Sequence, residues 1–194
     1  MGHYDESTAL IVVDIQNDFA DSAGSLYVPG GEAVIDLANA EIEKALAAGA
    51  CVVYTQDWHP PHTPHFAQDG GIWPVHCVAD TWGSELAPGL RIEGDVIRKG
   101  TAGEDGYSGF AVRDPESGAV SSTGLAERLA DRGVQRVVLV GLALDYCVKE
   151  TARDGIGAGF ATTLLQHATR AVNLEPDDGA RALQELASAG VELA

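Results

Sequence analysis

Cysteine is scarce in this chain of 194 residues: there are three, Cys51, Cys77 and Cys147. An odd count with no C-x-x-C pair points to neither a disulfide framework nor a cysteine zinc site, and leaves room for one thiol with a chemical task. Cations are short as well. Lys and Arg number 12 against 29 Asp and Glu, a formal net charge of −17. Such a surface repels phosphate backbones and anionic lipid, so neither nucleic acid nor a membrane is an expected partner. The excess reads as solubility or adaptation to salt rather than as a clue to substrate. No apolar run approaches the roughly 18 residues of a membrane-spanning helix. The N-terminal stretch carries Asp5 and Glu6 where a secretory signal would be basic, and Glu6 stands where a myristoylation motif wants Ser or Thr. A cytoplasmic address is the expectation. With no repeat, low-complexity tract or linker, 1–194 reads as a single domain.

Six short apolar runs alternate with helical patterns. Ala9–Val13 reads as a buried parallel strand ending at Asp14, and Glu32–Ala48 as an amphipathic helix stopped by Gly49. Strands follow at Cys51–Tyr54 and Asp95–Arg98, with an irregular Pro/His-rich stretch from Asp57 to about Leu90 between them. After a Gly-rich segment, Gly100–Gly118, come a helix over Thr123–Arg132 and a β-branched strand, Arg136–Val140. A helix is expected to start near Asp145 or Tyr146, followed by a strand at Phe160–Leu165. Pro176 fits the first turn of a last helix, and Val191–Leu193 a sixth strand. The fold class is therefore α/β: a doubly wound, six-stranded, mostly parallel sheet with helices on both faces.

In such sheets ligands sit beyond the carboxyl ends of the strands, near the switch in strand order. Those positions carry Asp14, Asp57, Lys99 and the loop leading to Cys147. Each residue alone has a plain structural reading: a turn-capping Asp, a surface Lys, a small buried thiol. Their coincidence at one edge of the sheet favours chemistry. Cys147 in the first turn of a helix beside a lysine is expected to have a lowered thiol pKa, and a partly desolvated Asp14 could act as its base. Cys51 and Cys77 read as packing.

Four of the six histidines fall between residues 59 and 76: His59, His62, His65 and His76. With Asp57, the set of His59, His65 and His76 suits one divalent transition ion, Zn²⁺, Fe²⁺ or Mn²⁺, with positions left open for water or substrate. A His-rich surface loop is the plainer alternative, and His62 is left out of the set.

These residues lie in blocks that resemble the nicotinamidase/pyrazinamidase branch of the isochorismatase-like cysteine hydrolases. The blocks are Val13-Asp14-Ile15-Gln16-Asn17-Asp18-Phe19, Asp57-Trp58-His59, Trp73-Pro74-Val75-His76-Cys77, Lys99-Gly100, Tyr107-Ser108-Gly109-Phe110 and Gly141-Leu142-Ala143-Leu144-Asp145-Tyr146-Cys147-Val148. They fall in the family's order over nearly the whole chain. The resemblance implies a catalytic triad of Asp14, Lys99 and Cys147, and a metal held by Asp57, His59, His65 and His76. It also implies a cis Leu142–Ala143 peptide that turns the Ala143 N–H, with that of Cys147, into an oxyanion hole. Substrate contacts would come from Phe19, Trp73, Tyr107 and Leu142. The implied reaction is hydrolysis of nicotinamide to nicotinate and ammonia in NAD salvage, with pyrazinamide as a further substrate, the metal serving to position the ring. Leu144 departs from the Thr common in relatives. A homo-oligomer stays open.

Other readings explain less. A sister amidohydrolase acting on a carbamoyl or ureido compound, or on isochorismate, would share Asp, Lys and Cys but in general lack the Asp/His set. A dinucleotide-binding module needs G-x-G-x-x-G after the first strand, where Ile15-Gln16-Asn17-Asp18 stands. A metal-buffering protein would leave Lys99 and Cys147 unexplained.

Overall fold

Strand β1, Thr8–Val13, is buried along its whole length, as a continuous apolar run requires in a sheet covered on both faces. In the computed structural model, which describes residues 2–194, it lies at the centre of a six-stranded sheet. The other strands of that sheet are β2 (Cys51–Asp57), β3 (Asp95–Lys99), β6 (Arg136–Leu142), β7 (Ala161–Arg170) and β8 (Glu192–Leu193). The order is β3-β2-β1-β6-β7-β8, and every neighbouring pair is parallel. The chain moves outward from β1 to β3, then crosses back to β6 beside β1. The switch in direction lies between β1 and β6, the crevice where ligands bind in such sheets.

Side chains alternate across β1. Leu10 and Val12 face helix α2 (Glu32–Ala47), meeting Val34, Ala38, Ile42 and Ala45. Ala9, Ile11 and Val13 face the other side, with Leu125 and Leu129 of α3 (Leu125–Asp131), Ala152 of α4 (Lys149–Gly157), and Ala182 and Leu186 of α5 (Asp178–Ser188). Each fully buried aliphatic side chain contributes about 1.5–3 kcal/mol, so β1 anchors two cores at once. Close contact between β1 and β6 depends on Gly141. Its φ is +120°, and a Cβ there would lie 2.1 Å from the Val13 carbonyl oxygen.

Several boundaries differ from the sequence expectation. β2 runs on to Asp57, and β7 runs past Leu165 to Arg170 with an irregularity in its pairing to β6 between Leu139 and Gly141. The last helix starts at Asp178, not at Pro176, because Asp177 at its N-cap takes φ 68°. A one-turn helix α1, Asn17–Ala20, follows β1. A small antiparallel hairpin, β4 (Ala111–Arg113) with β5 (Val120–Ser122), spans the end of the Gly-rich segment and the residues just before the helix expected from Thr123, which starts at Leu125. Its three-residue strands carry no apolar alternation to announce them.

Candidate active site

Asp14 leaves β1 with φ 46°, a left-handed conformation uncommon for a residue with a side chain. Its carboxylate is fully buried at the switch point. Thr55 of β2 donates a 2.6 Å hydrogen bond to Asp14 Oδ1. Lys99 Nζ lies 2.7 Å from Oδ2, as an ion pair more than a well-directed hydrogen bond. Lys99 ends β3 and is itself 1% exposed; its ammonium also donates to Asp57 Oδ1 and to the Gly106 carbonyl. Cys147 Sγ is the fourth neighbour, at 3.6 Å. One carboxylate oxygen each of Asp14 and Asp57, and Cys147 Sγ, lie within 4.8 Å of one another. The four residues nominated by their strand-end positions, Asp14, Asp57, Lys99 and Cys147, are therefore one contact group.

Cys147 sits in a π-helical turn, Leu144–Val148, that leads into α4. The Leu142–Ala143 peptide before it is cis. Burial pushes the Cys147 thiol well above its usual pKa; Lys99 opposes this and the carboxylates of Asp14 and Asp57 add to it. The expectation of a lowered thiol pKa is thus reversed, because burial of the sulfur, with two carboxylates beside it, outweighs the ammonium of Lys99. Burial likewise raises Asp14, to about 6, against the pull of Lys99. For Lys99 burial is overcome by Asp14, Asp57 and Cys147, which hold it well above the ordinary lysine value. The group rests as thiol, ammonium and carboxylates.

Beside it stands the histidine cluster. Ligand nitrogens of His59, His65 and His76 all lie within 4.8 Å of one another. Asp57 Oδ2 is 3.8 Å from His59 Nε2 and 3.9 Å from His76 Nε2. The Asp57 carboxyl is held well below its usual pKa: burial opposes, but Lys99 and the imidazoles prevail. Burial lowers His65, and lowers His76 to about 4, so both are neutral imidazoles, the form that ligates metals. His76 Nδ1 pairs with the Pro74 carbonyl and His65 Nδ1 with Asp105 Oδ1, each at 2.8 Å. Their Nε2 atoms remain for a ligand. His59 is completely buried, yet neither ring nitrogen has a hydrogen-bond partner among the described residues. Buried orphan nitrogens are costly unless something binds them, and three imidazoles with one carboxylate suit a divalent transition ion. The residues fit a metal. His62 is exposed and paired with Asp69, away from the cluster.

Other residues hold this arrangement, and several were not singled out from the sequence. Gln16 clamps Asp57 by its backbone: Oε1 accepts from the Asp57 N–H and Nε2 donates to the Asp57 carbonyl, both at 2.8 Å. Asp18 Oδ2 accepts from the Cys77 N–H at 2.7 Å, which fixes the turn carrying His76. Gly100 has φ 75°, and a Cβ there would lie 2.5 Å from His59 Cε1. Gln16 and Asp18 lie in a motif already recognised, but nothing in spacing alone tells which backbone they reach.

Phe19, Trp73, Tyr107 and Tyr146 wall a cavity whose floor is formed by Cys147, Ala143, Asp57, His65 and His76. Trp73 Nε1 donates to the Tyr107 hydroxyl at 2.8 Å and its ring meets Tyr146 edge-on at 4.7 Å. Leu142, expected among the substrate contacts, is instead fully buried in the core on the α2 side and does not line the cavity. Strand alternation accounts for this: Leu142 continues the inward face of Val138 and Val140.

Comparison with known proteins gives the family and the fold. The isochorismatase domain family matches residues 8–194. The nicotinamidase/pyrazinamidase of Mycobacterium tuberculosis is 42% identical over 194 residues, covering 95% of this chain and 97% of that protein. The crystal structure of a Pyrococcus horikoshii pyrazinamidase in complex with zinc superposes with a TM-score of 0.85 at 39% identity, covering 97% of this chain and 98% of that one. The structure of PnC1 from L. infantum in complex with nicotinate gives 0.88 at 38% identity, covering 98% and 94%.

Proposed function

Since the chain belongs to the isochorismatase domain family, we propose that it is a metal-dependent cysteine amidohydrolase that converts nicotinamide to nicotinate and ammonia, with pyrazinamide as a further substrate, acting as a single catalytic unit in NAD salvage. One observation carries this reading. The Lys99 ammonium touches Asp14 at 2.7 Å and Cys147 Sγ at 3.6 Å, and Cys147 lines a small aromatic cavity together with Asp57, His65 and His76 of the metal cluster. Relatives named for nicotinamide hydrolysis, one neighbour solved with zinc and another with nicotinate support it.

The residues divide the work as follows. Phe19, Trp73 and Tyr107 enclose a flat ring and exclude water around its amide. Asp57, His59, His65 and His76 would hold a divalent ion, Zn²⁺, Fe²⁺ or Mn²⁺, which supplies a Lewis-acidic anchor for a ring nitrogen. Because the Cys147 thiol is protonated at rest, Asp14 takes its proton as Sγ attacks the amide carbon. Lys99 keeps Asp14 ionised and balances the charge that passes to sulfur. Backbone N–H groups of Ala143 and Cys147 receive the oxyanion. Asp14 returns the proton to the departing ammonia, and water then cleaves the thioester.

The test is direct. Purified protein is offered nicotinamide, pyrazinamide, and carbamoyl and ureido compounds, and ammonia is measured with each acid product. Release from nicotinamide with a matching yield of nicotinate is the expected result. Turnover confined to the carbamoyl or ureido compounds would assign the chain to a sister activity.

A further inference from the structure

We propose that Asp105 is the positioning residue that makes His65 a full ligand of the metal centre, so that this chain grips its ion with four side chains and not three. The inference rests on the metal-centre reading above. Its basis is the unequal backing of the three imidazoles. Among the described residues, His59 has no hydrogen-bond partner on either nitrogen, His76 Nδ1 has a neutral carbonyl, Pro74 O, and of the three Nδ1 atoms only that of His65 has a carboxylate, Asp105 Oδ1. A carboxylate on Nδ1 fixes the proton there, turns the Nε2 lone pair toward the cluster and makes that nitrogen more electron-rich.

Asp105 is placed for this by contacts that do not involve its side chain. Its N–H donates to the Arg113 carbonyl at 2.8 Å and its carbonyl accepts from the Arg113 N–H at 3.0 Å, a pair that extends the β4–β5 hairpin. The next residue, Gly106, gives its carbonyl to Lys99. Two residues earlier, the Gly103 carbonyl accepts from Thr63 Oγ1 at 2.8 Å. The His59–His65 loop and the 103–106 segment are thus tied independently of the Asp105 carboxylate, which makes no other hydrogen bond among the described residues. An exposed aspartate with a merely decorative ion pair would leave His65 indifferent to its loss.

Two measurements on the full-length protein test the role. In the first, Zn²⁺ alone is titrated at neutral pH against a chromophoric chelator. Asp105→Ala should bind about 10- to 100-fold more weakly than wild type. Asp105→Asn, which still accepts the Nδ1–H bond but without charge, should fall between the two. Removing both partners in His65→Ala/Asp105→Ala should weaken binding no further than His65→Ala alone. In the second, ¹⁵N NMR of the metal-free protein reads the His65 tautomer, expected as Nδ1–H in wild type and shifted toward Nε2–H in Asp105→Ala. Wild-type Zn²⁺ binding that Asp105→Ala leaves intact, or an Nε2–H tautomer already in wild type, overturns the role of Asp105. A wild type that takes up no Zn²⁺ overturns the metal-centre reading itself.

Discussion

Lys99 donates a hydrogen bond to Asp57, so the ammonium that faces the nucleophile also faces the carboxylate of the metal cluster. The two halves of the site share one buried cation. Lys99→Met should therefore do more than slow chemistry: it strands Asp14 and Asp57 together in a dry crevice. Removing one partner of a buried pair costs about 3–5 kcal/mol. Melting should show a loss of that order, alongside severe loss of ammonia release. Asp14→Asn in the same background should restore part of the stability and none of the turnover, and strictly additive losses would separate the two residues.

Cys147→Ala should lower turnover by on the order of 10⁴-fold or more with an unchanged melting temperature, since a methyl group cannot form the thioester. Cys51→Ala, at the far end of β2, should keep full activity. Retention of more than a trace of hydrolysis by Cys147→Ala would rule out covalent catalysis.

Asp14, raised by burial to about 6, must be ionised to take the thiol proton. kcat/KM should therefore fall by about tenfold per pH unit below about 6. Stability responds to Asp14 with the opposite sign. The native state binds this proton before the unfolded chain does, so the Asp14 contribution to stability rises as pH falls from about 6 toward 3.8. Paired pH profiles of turnover and of unfolding in Asp14→Asn and wild type test both signs.

Chelation should abolish turnover while near-ultraviolet circular dichroism stays native, because Lys99 holds Asp57 whether or not an ion is present. His59→Ala and His76→Ala should reproduce the chelated state. His62→Ala, exposed and paired with Asp69, should behave as wild type. Full turnover by a demonstrably metal-free sample would remove the ion from the reaction.

Tyr107→Phe deletes the acceptor of the Trp73 N–H. An unsatisfied buried donor costs about 1–3 kcal/mol. KM for nicotinamide should rise by about tenfold as the wall loosens, with kcat changed much less. An equal fall in kcat at constant KM would place Tyr107 in the chemical step.

The parts of this site that follow strand geometry could be read from the sequence. A continuous apolar run ending in an acid, as at Asp14, and a strand closing on Lys99 put both at one edge of any parallel sheet. The Asp57–His76 stretch offered a candidate ligand set by residue type, and the fold brings those side chains together. What depends on three-dimensional packing could not be read. Gln16 and Asp18 grip backbones 41 and 59 residues away, Asp105 reaches His65 across 40, and the three-residue hairpin strands lack any periodic signal. The direction of the Cys147 shift depends first on how deeply the thiol is buried, and then on the carboxylates beside it, neither of which a local motif contains. Leu142 fell on the wrong side of its strand for a substrate contact because a motif match carries no parity.

The site draws one residue from each of four strand ends, in β1, β2, β3 and just beyond β6, and those strands are adjacent only in the finished sheet. A chain emerging from the ribosome therefore stays chemically silent until β6 has docked against β1, more than 120 residues behind it in synthesis. In the unfolded chain Cys147 is an ordinary exposed thiol, and only the pairing of β6 with β1 brings it beside Asp14. Recovery of turnover after dilution from denaturant should accordingly report the pairing of β6 with β1, the most distant in sequence within the sheet, and not an earlier collapse.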